Sequence, residues 1–192
     1  LLHRAWTALD GNDSGRALMD RQLHLHQAAA IGLDENYLVA TGTGSGKTES
    51  FLFPLVDSLL RDPDLARPGV RVILVYPLNA LANDQMHRIS RLLFADLKDP
   101  GITLGRYTGQ VRSNEMRSDV ENDLVQSPTF QANFPDATRV PANWLLSRQE
   151  MLDSPPHILI TNYAMLEHLL LLPRNAPLFE GSTLQFIVLD EV

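Results

Sequence analysis

The chain has 192 residues, a formal net charge of −7, 44% hydrophobic residues and no cysteine. No apolar run reaches the roughly 18 residues needed to cross a bilayer, and disulfides or thiolate metal sites within the chain are excluded. The acidic balance argues against a simple basic DNA-coating protein. It leaves nucleic acid open as a partner, because backbone amides and hydroxyls can hold phosphates. We therefore expect a globular cytoplasmic protein with no membrane partner.

Hydrophobic patterning in chain order predicts alternating strands and helices. Short apolar runs predict buried strands at residues 37–40, 70–76, 102–107, 157–161 and 184–190. Helical patterns fall between most of them, at residues 22–31, 47–61, 80–97 and 163–171. This alternation predicts an α/β fold with a mainly parallel sheet and helices on both faces.

A polar, proline-containing stretch at residues 110–156 interrupts the pattern. It predicts an insertion on the sheet that contains short helices, such as one over residues 143–151. Four arginines in or near this stretch are interpreted as solvated side chains, with a nucleic-acid path as the alternative. They are Arg106, Arg112, Arg117 and Arg148.

Residues 40–48 read A-T-G-T-G-S-G-K-T, after a predicted strand and at the start of a predicted helix. That context is typical of a phosphate-binding P-loop, whose glycines let backbone amides approach a phosphate. Lys47 is expected to contact the β- and γ-phosphates, and the Thr48 hydroxyl to ligate Mg²⁺. The other predicted cradle residues are Thr43, Gly44, Ser45 and Gly46. Thr41 departs from the usual Gly or Ala, and a glycine-rich turn without a ligand is the alternative.

Residues 185–191 read Q-F-I-V-L-D-E, an apolar strand that ends in two acids. A P-loop ATPase needs a carboxylate at a strand end to hold the shell of Mg²⁺, and Asp190 suits that role. Glu191 is placed to polarise the attacking water as a general base. The alternative is a pair of acids that simply faces solvent.

Together these motifs resemble the first RecA-like domain of superfamily 2 helicases with a DEAD/DEAH-type box. Residues 43–49 resemble motif I, and residues 190–192 (D-E-V) look like a motif II that lost its last residue to truncation. Residues 76–85 (Y-P-L-N-A-L-A-N-D-Q) are similar to motif Ia of Lhr-like and MrfA-like DNA helicases. Residues 107–109 and 160–163 resemble further strand-contacting turns.

The resemblance implies an ATP hydrolase that uses Mg²⁺ and acts on single- or double-stranded nucleic acid, with DNA the expected partner. It implies that Gln27 contacts adenine. It also implies nucleic-acid contacts for Asn79, Thr108, Thr161 and Asn162. Residues 1–20 would be a lead-in segment and residues 21–192 a RecA-like domain. A second RecA-like domain, beyond this sequence, would supply an arginine finger, so the chain alone is expected to be nearly inactive.

Three other functions remain open at this point. A P-loop small-molecule kinase shares the phosphate cradle, but it does not need the strand-contacting turns between Lys47 and Asp190. A duplex DNA translocase of a restriction or phage-defence system shares this whole domain. A non-catalytic nucleic-acid-binding module is disfavoured by the intact Lys47, Thr48, Asp190 and Glu191.

Overall fold

The structure is a computed structural model that describes residues 27, 30, 36–40, 46–97, 101–109, 111 and 116–191. The chain forms two compact units, which divide between Asp62 and Pro63. No helix among the described residues is long and apolar enough to cross a membrane.

The first unit contains the helix that follows the glycine-rich loop, α1 (Lys47–Leu60). Its buried apolar residues recur at helical spacing, which makes one face of the helix apolar. They are Leu52, Leu55, Val56 and Leu59. The helix predicted at residues 47–61 is therefore confirmed. Gln27 and Ala30 are also helical, while the rest of the helix predicted at residues 22–31 lies outside the described residues.

The strand predicted at residues 37–40 is wrong. These residues are in neither a helix nor a strand, and the Leu38 side chain is 86% exposed. A short apolar run becomes a strand only where a neighbouring strand pairs with its backbone and its side chains find a packed face. The apolar pattern alone does not supply either condition.

The second unit is built on a five-stranded sheet of order β3-β2-β4-β1-β5. All its pairings are parallel, which confirms the predicted α/β class. The strands are β1 (Val72–Tyr76), β2 (Leu104–Arg106), β3 (Trp144–Leu145), β4 (Ile158–Asn162) and β5 (Phe186–Leu189). Strand β1 is buried along its whole length, as expected for the interior of a parallel sheet.

Helical segments connect the strands of this unit. They are α2 (Asn79–Ser90), a π-helical turn (Arg91–Asp96), α3 (Arg117–Gln126), α4 (Pro128–Asn133), α5 (Arg148–Asp153), α6 (Tyr163–Leu171) and a 3₁₀ helix (Pro173–Leu178). The prediction for α6 is confirmed. The helix predicted at residues 80–97 is present, but its last turn widens, with the Leu97 amide donating to the Leu92 carbonyl at 2.9 Å.

The stretch at residues 110–156 contributes a strand to the sheet, which the sequence interpretation missed. Residues 143–151 are not one helix, because Trp144 pairs in parallel with Leu104 of β2 and α5 begins only at Arg148. The Trp144 side chain is buried, with the rings of Phe130 and His87 at 6.1 and 5.4 Å between centroids. Burial of this large aromatic favours the extended conformation there over a helix.

Glu150 holds the start of α5 to the rest of the insertion. One carboxylate oxygen accepts a hydrogen bond from Arg117 Nη1 at 2.9 Å. The other accepts from the amides of Leu146 and Ser147 at 2.9 and 3.0 Å, and Ser147 completes a capping box. Burial acts to raise the pKa of Glu150, but the hydrogen bonds from Arg117, Ser147 and Leu146 hold it below its ordinary value.

Glu150→Ala is expected to lower the free energy of unfolding by roughly 1–3 kcal/mol, because it leaves three hydrogen-bond donors without their acceptor. Since the folded-state pKa is depressed, the contribution of Glu150 is present above its ordinary pKa of 4.5 and is lost as pH falls through the folded value. Chemical denaturation at pH 7 and pH 4 measures both effects. Gln149→Ala, on the exposed side of the same helix, is the control and should change little.

Candidate functional site

Gly46 forms the junction between the glycine-rich loop and α1. Its φ is 79°, in the left-handed region that favours glycine. Its carbonyl accepts a hydrogen bond from Gln27 Nε2 at 2.9 Å, and a Cβ at Gly46 would collide with that nitrogen. Gln27 is only 5% exposed. The residue predicted to contact adenine is thus bonded to the loop backbone, and its contact with adenine stays a prediction.

Lys47 and Thr48 are the first two residues of α1, and both are partly exposed. No side chain caps this helix at Gly46, so the first-turn amides keep their capacity to bind an anion. Thr43, Gly44 and Ser45 lie outside the described residues. In the first unit, the structure therefore places Lys47 and the Thr48 hydroxyl, the groups predicted to bind phosphate and Mg²⁺, at the start of a helix.

Asp190 and Glu191 follow β5 in the second unit. The Asp190 amide donates to the Val75 carbonyl at 3.1 Å, which continues the parallel pairing of β5 with β1 by one residue. Glu191 has a φ of 59°, and its amide donates to Asp190 Oδ1 at 3.0 Å. The hydrogen bond orients the Asp190 carboxylate. It has a conformational cost, because a non-glycine residue such as Glu191 rarely adopts a positive φ.

Two of the predicted nucleic-acid contacts meet at the carboxyl ends of β1 and β4. Asn162 Nδ2 donates to Asn79 Oδ1 at 2.6 Å, and Asn162 Oδ1 accepts from the Met165 amide at 2.7 Å, which caps α6. Asn79, at the start of α2, retains its own amide N–H donors and is partly exposed. The pair thus links the starts of two helices at one edge of the sheet.

The two predicted threonine contacts are buried. Thr161 donates its hydroxyl to the Tyr107 carbonyl at 2.8 Å, and neither Thr108 nor Thr161 exposes any surface. A side chain in that position supports the neighbouring turn instead of reaching the solvent. Direct contact of these hydroxyls with nucleic acid stays a prediction, whereas exposed Gly109 of the same turn offers its backbone.

Arg148 is a residue of this region that the sequence interpretation left among solvated side chains. Its Nη2 donates to the Thr108 carbonyl at 3.2 Å, and its guanidinium carbon lies 5.0 Å from the centre of the Tyr107 ring. Arg117 and Arg106 are also partly buried, and Arg106 donates to Asn83. The interpretation is wrong for these three, while Arg112 lies outside the described residues. No sequence spacing signals a contact across 40 residues.

Comparison with known proteins identifies the family. The sequence profile of the DEAD/DEAH box helicases matches residues 23–131, more than half of the chain. The chain belongs to the DEAD/DEAH box helicase family. The matched span contains motifs I and Ia, and the predicted family resemblance is confirmed.

Among relatives of this helicase domain, the Druantia protein DruE of Escherichia coli is 32% identical over 87% of the chain and 13% of its own length. The ATP-dependent helicase Lhr-Core of Methanothermobacter thermautotrophicus is 30% identical over 82% of the chain and 15% of its own length. The chain therefore spans less than a fifth of the length of these two relatives. The second of them carries the Lhr name that motif Ia indicated.

A solved helicase structure shares the fold of this domain. The DUF1998 helicase MrfA, bound to DNA and AMPPNP, superposes with a TM-score of 0.55 and 22% sequence identity. The match covers 95% of this chain and 20% of that one. The likeness supports the RecA-like α/β fold predicted from the sequence.

Gly46→Ala is expected to destabilise the loop–helix junction more than a left-handed backbone alone explains. Gly101 has a similar φ of 80° but open space where a Cβ would stand, so Gly101→Ala isolates the backbone cost of about 1–2 kcal/mol. Gly46→Ala adds a collision with Gln27 to that cost. Thermal unfolding of the two variants measures the difference. Equal losses would show that the Gln27 side chain moves away at no cost.

Proposed function

We propose that this chain is the ATP-binding domain of an ATP-dependent helicase or translocase that acts on DNA. The observation that carries the proposal is the left-handed Gly46 junction, which opens α1 with Lys47 and Thr48 in a chain of the helicase family. This arrangement presents helix amides, a cation and a hydroxyl together, as phosphate binding requires. A small-molecule kinase is disfavoured, because the family match includes the strand-contacting segments at residues 76–85 and 107–109.

Each polar residue of the two motifs has a role in this proposal. Lys47 binds the β- and γ-phosphates, and Gln27 contacts the adenine after exchanging its bond to Gly46. Thr48 and Asp190 provide hydroxyl and carboxylate oxygens, the hard ligands that Mg²⁺ prefers, so they fit this ion. When bound, the ion would neutralise phosphate charge. Glu191, exposed beside Asp190, accepts a proton from the attacking water.

Nucleic acid would run along the carboxyl edge of the sheet in the second unit. The carbonyls of the turn after β2 face the protein, since Tyr107 O accepts from Thr161 and Thr108 O accepts from Arg148 and Val111. The Tyr107 amide donates to the Ile160 carbonyl, so the donors that this proposal assigns to the outer side are the amides of Thr108 and exposed Gly109. Together with the Asn79 amide, these donors suit phosphate oxygens.

Contacts of this kind fix the path of the strand without reading the bases, so binding is largely independent of sequence. DNA is favoured as the partner by the form of motif Ia and by the likeness to MrfA, which was solved with DNA. Translocation along duplex without strand separation is the second candidate, because it uses the same domain. The proposal also includes a second RecA-like domain, which supplies an arginine finger. It places the protein in the cytoplasm.

Lys47→Ala should abolish nucleic-acid-stimulated ATP hydrolysis in the full chain, meaning a protein that carries these residues together with the proposed second domain. The reason is that the ATP phosphates lose the lysine ammonium group that binds them. The ATPase rate is measured at fixed salt without nucleic acid and with single-stranded DNA, duplex DNA or RNA, since phosphate binding depends steeply on salt. Preference for single-stranded DNA supports a helicase, and preference for duplex supports a translocase. Absence of stimulation by every nucleic acid would rule out the proposed function.

The 192-residue chain alone should hydrolyse ATP at a negligible rate in the same assay. An arginine finger contributes roughly 10³–10⁵ in rate in related P-loop enzymes. Turnover by this chain that disappears in Lys47→Ala would remove the need for a second domain.

Arg148→Ala should weaken DNA binding about tenfold, because the Thr108 carbonyl loses the side-chain donor that ties the turn to α5 and keeps only the Val111 amide. The measurement is DNA affinity by fluorescence anisotropy across several salt concentrations. If Arg148 only positions the turn, the slope of log affinity against log salt stays constant, whereas a direct phosphate contact would reduce it by about one. Arg139→Ala removes the same charge from an exposed position and is the matched control.

A further inference from the structure

The registers of β1 and β5 place Tyr76 beside Asp190. Val75 pairs with Leu189, and the Asp190 amide donates to the Val75 carbonyl at 3.1 Å, so the next residues along the two strands are lateral neighbours. Laterally paired residues of parallel strands project from the same face of the sheet, and adjacent strands lie about 4.8 Å apart. The last residue of β1 therefore shares a face with the acid that follows β5.

The Tyr76 hydroxyl has no hydrogen-bond partner among the described residues, although the side chain is only 1% exposed. Buried phenol groups normally find a partner. The buried phenol of Tyr107 does so, since it donates to Asn175 Oδ1. If Tyr76 served packing alone, phenylalanine would fill the same space without an unsatisfied polar atom.

Burial and a neighbouring carboxylate keep the Tyr76 phenol protonated. Burial is the main cause that raises the pKa of the phenol, and the negative charge of Asp190 raises it further, while Arg88 acts in the opposite direction. The phenol is thus a hydrogen-bond donor throughout the neutral range, and an ionised carboxylate is an acceptor only. Donor and acceptor are complementary at this edge of the sheet.

We propose that Tyr76 is a positioning residue whose hydroxyl donates a hydrogen bond to the Asp190 carboxylate through one water molecule. The Glu191 amide already binds Asp190 Oδ1, so a second donor from β1 holds the carboxylate in one orientation. That orientation fixes where the carboxylate can meet a divalent cation. The inference rests on the proposed function, because it assumes that Asp190 holds Mg²⁺ in the nucleotide complex.

The test is the Mg²⁺ dependence of binding of a fluorescent, non-hydrolysable ATP analogue to the full chain. Tyr76→Phe should raise the Mg²⁺ concentration needed for half-maximal binding by about tenfold, the effect of one hydrogen bond to a charged group. Tyr37→Phe removes a phenol hydroxyl from the first unit and should leave the Mg²⁺ dependence unchanged. In an Asp190→Ala background, which has no side-chain acceptor, Tyr76→Phe should cause no further change.

The outcomes separate this inference from the proposed function. If the wild-type chain binds the analogue in a Mg²⁺-dependent way and Tyr76→Phe behaves identically, the inference is wrong and the proposed function stands. A Tyr76→Phe variant that only gains thermal stability, through loss of an unsatisfied hydroxyl, leads to the same conclusion. If the wild type does not bind the analogue, or Lys47→Ala binds it equally well, the proposed function fails and the inference with it.

Discussion

The parallel pairing of β1 with β4 on one side and β5 on the other is the constraint on which the rest of the second unit depends. Strand β1 is fully buried, so its register against both neighbours is set by packing as well as by backbone hydrogen bonds. Because all three strands run in the same direction, their carboxyl ends lie at one edge. Functional groups in open parallel sheets gather at that edge.

This edge brings together residues that are far apart in the sequence. Asn79 follows β1, Asn162 ends β4 and Asp190 follows β5, while the turn at Thr108 follows β2. Short hydrogen bonds then adjust the positions, such as the 2.6 Å bond between the two asparagines. The sheet brings these residues close together, and the polar contacts then orient their side chains.

The insertion is connected to the same edge through a chain of polar contacts. Arg117 binds Glu150, Glu150 and Ser147 cap the helix that begins at Arg148, and Arg148 donates to the Thr108 carbonyl. The composition of the insertion suggests a solvated loop region. Its contacts instead support the turn that is proposed to face nucleic acid. Its strand β3 also extends the sheet beyond β2. Loss of the Glu150 or Arg148 contacts should consequently weaken the support of that turn, whereas exposed positions of the insertion do not contribute to it.

The sequence by itself determined the α/β class, the approximate positions of four strands and of α1 and α6, and the helicase family. These follow from short-range patterns. They are the apolar periodicity, the glycine-rich motif that ends in a lysine, and the two acids that follow the last apolar run. The tertiary structure alone decided that residues 37–40 form no strand, that Trp144 lies in one, that Thr108 and Thr161 are buried, and that Arg148 and Tyr76 lie beside residues of the proposed site. The reason is physical: strand pairing, burial and hydrogen-bond partners depend on groups distant in the chain, which local sequence does not encode.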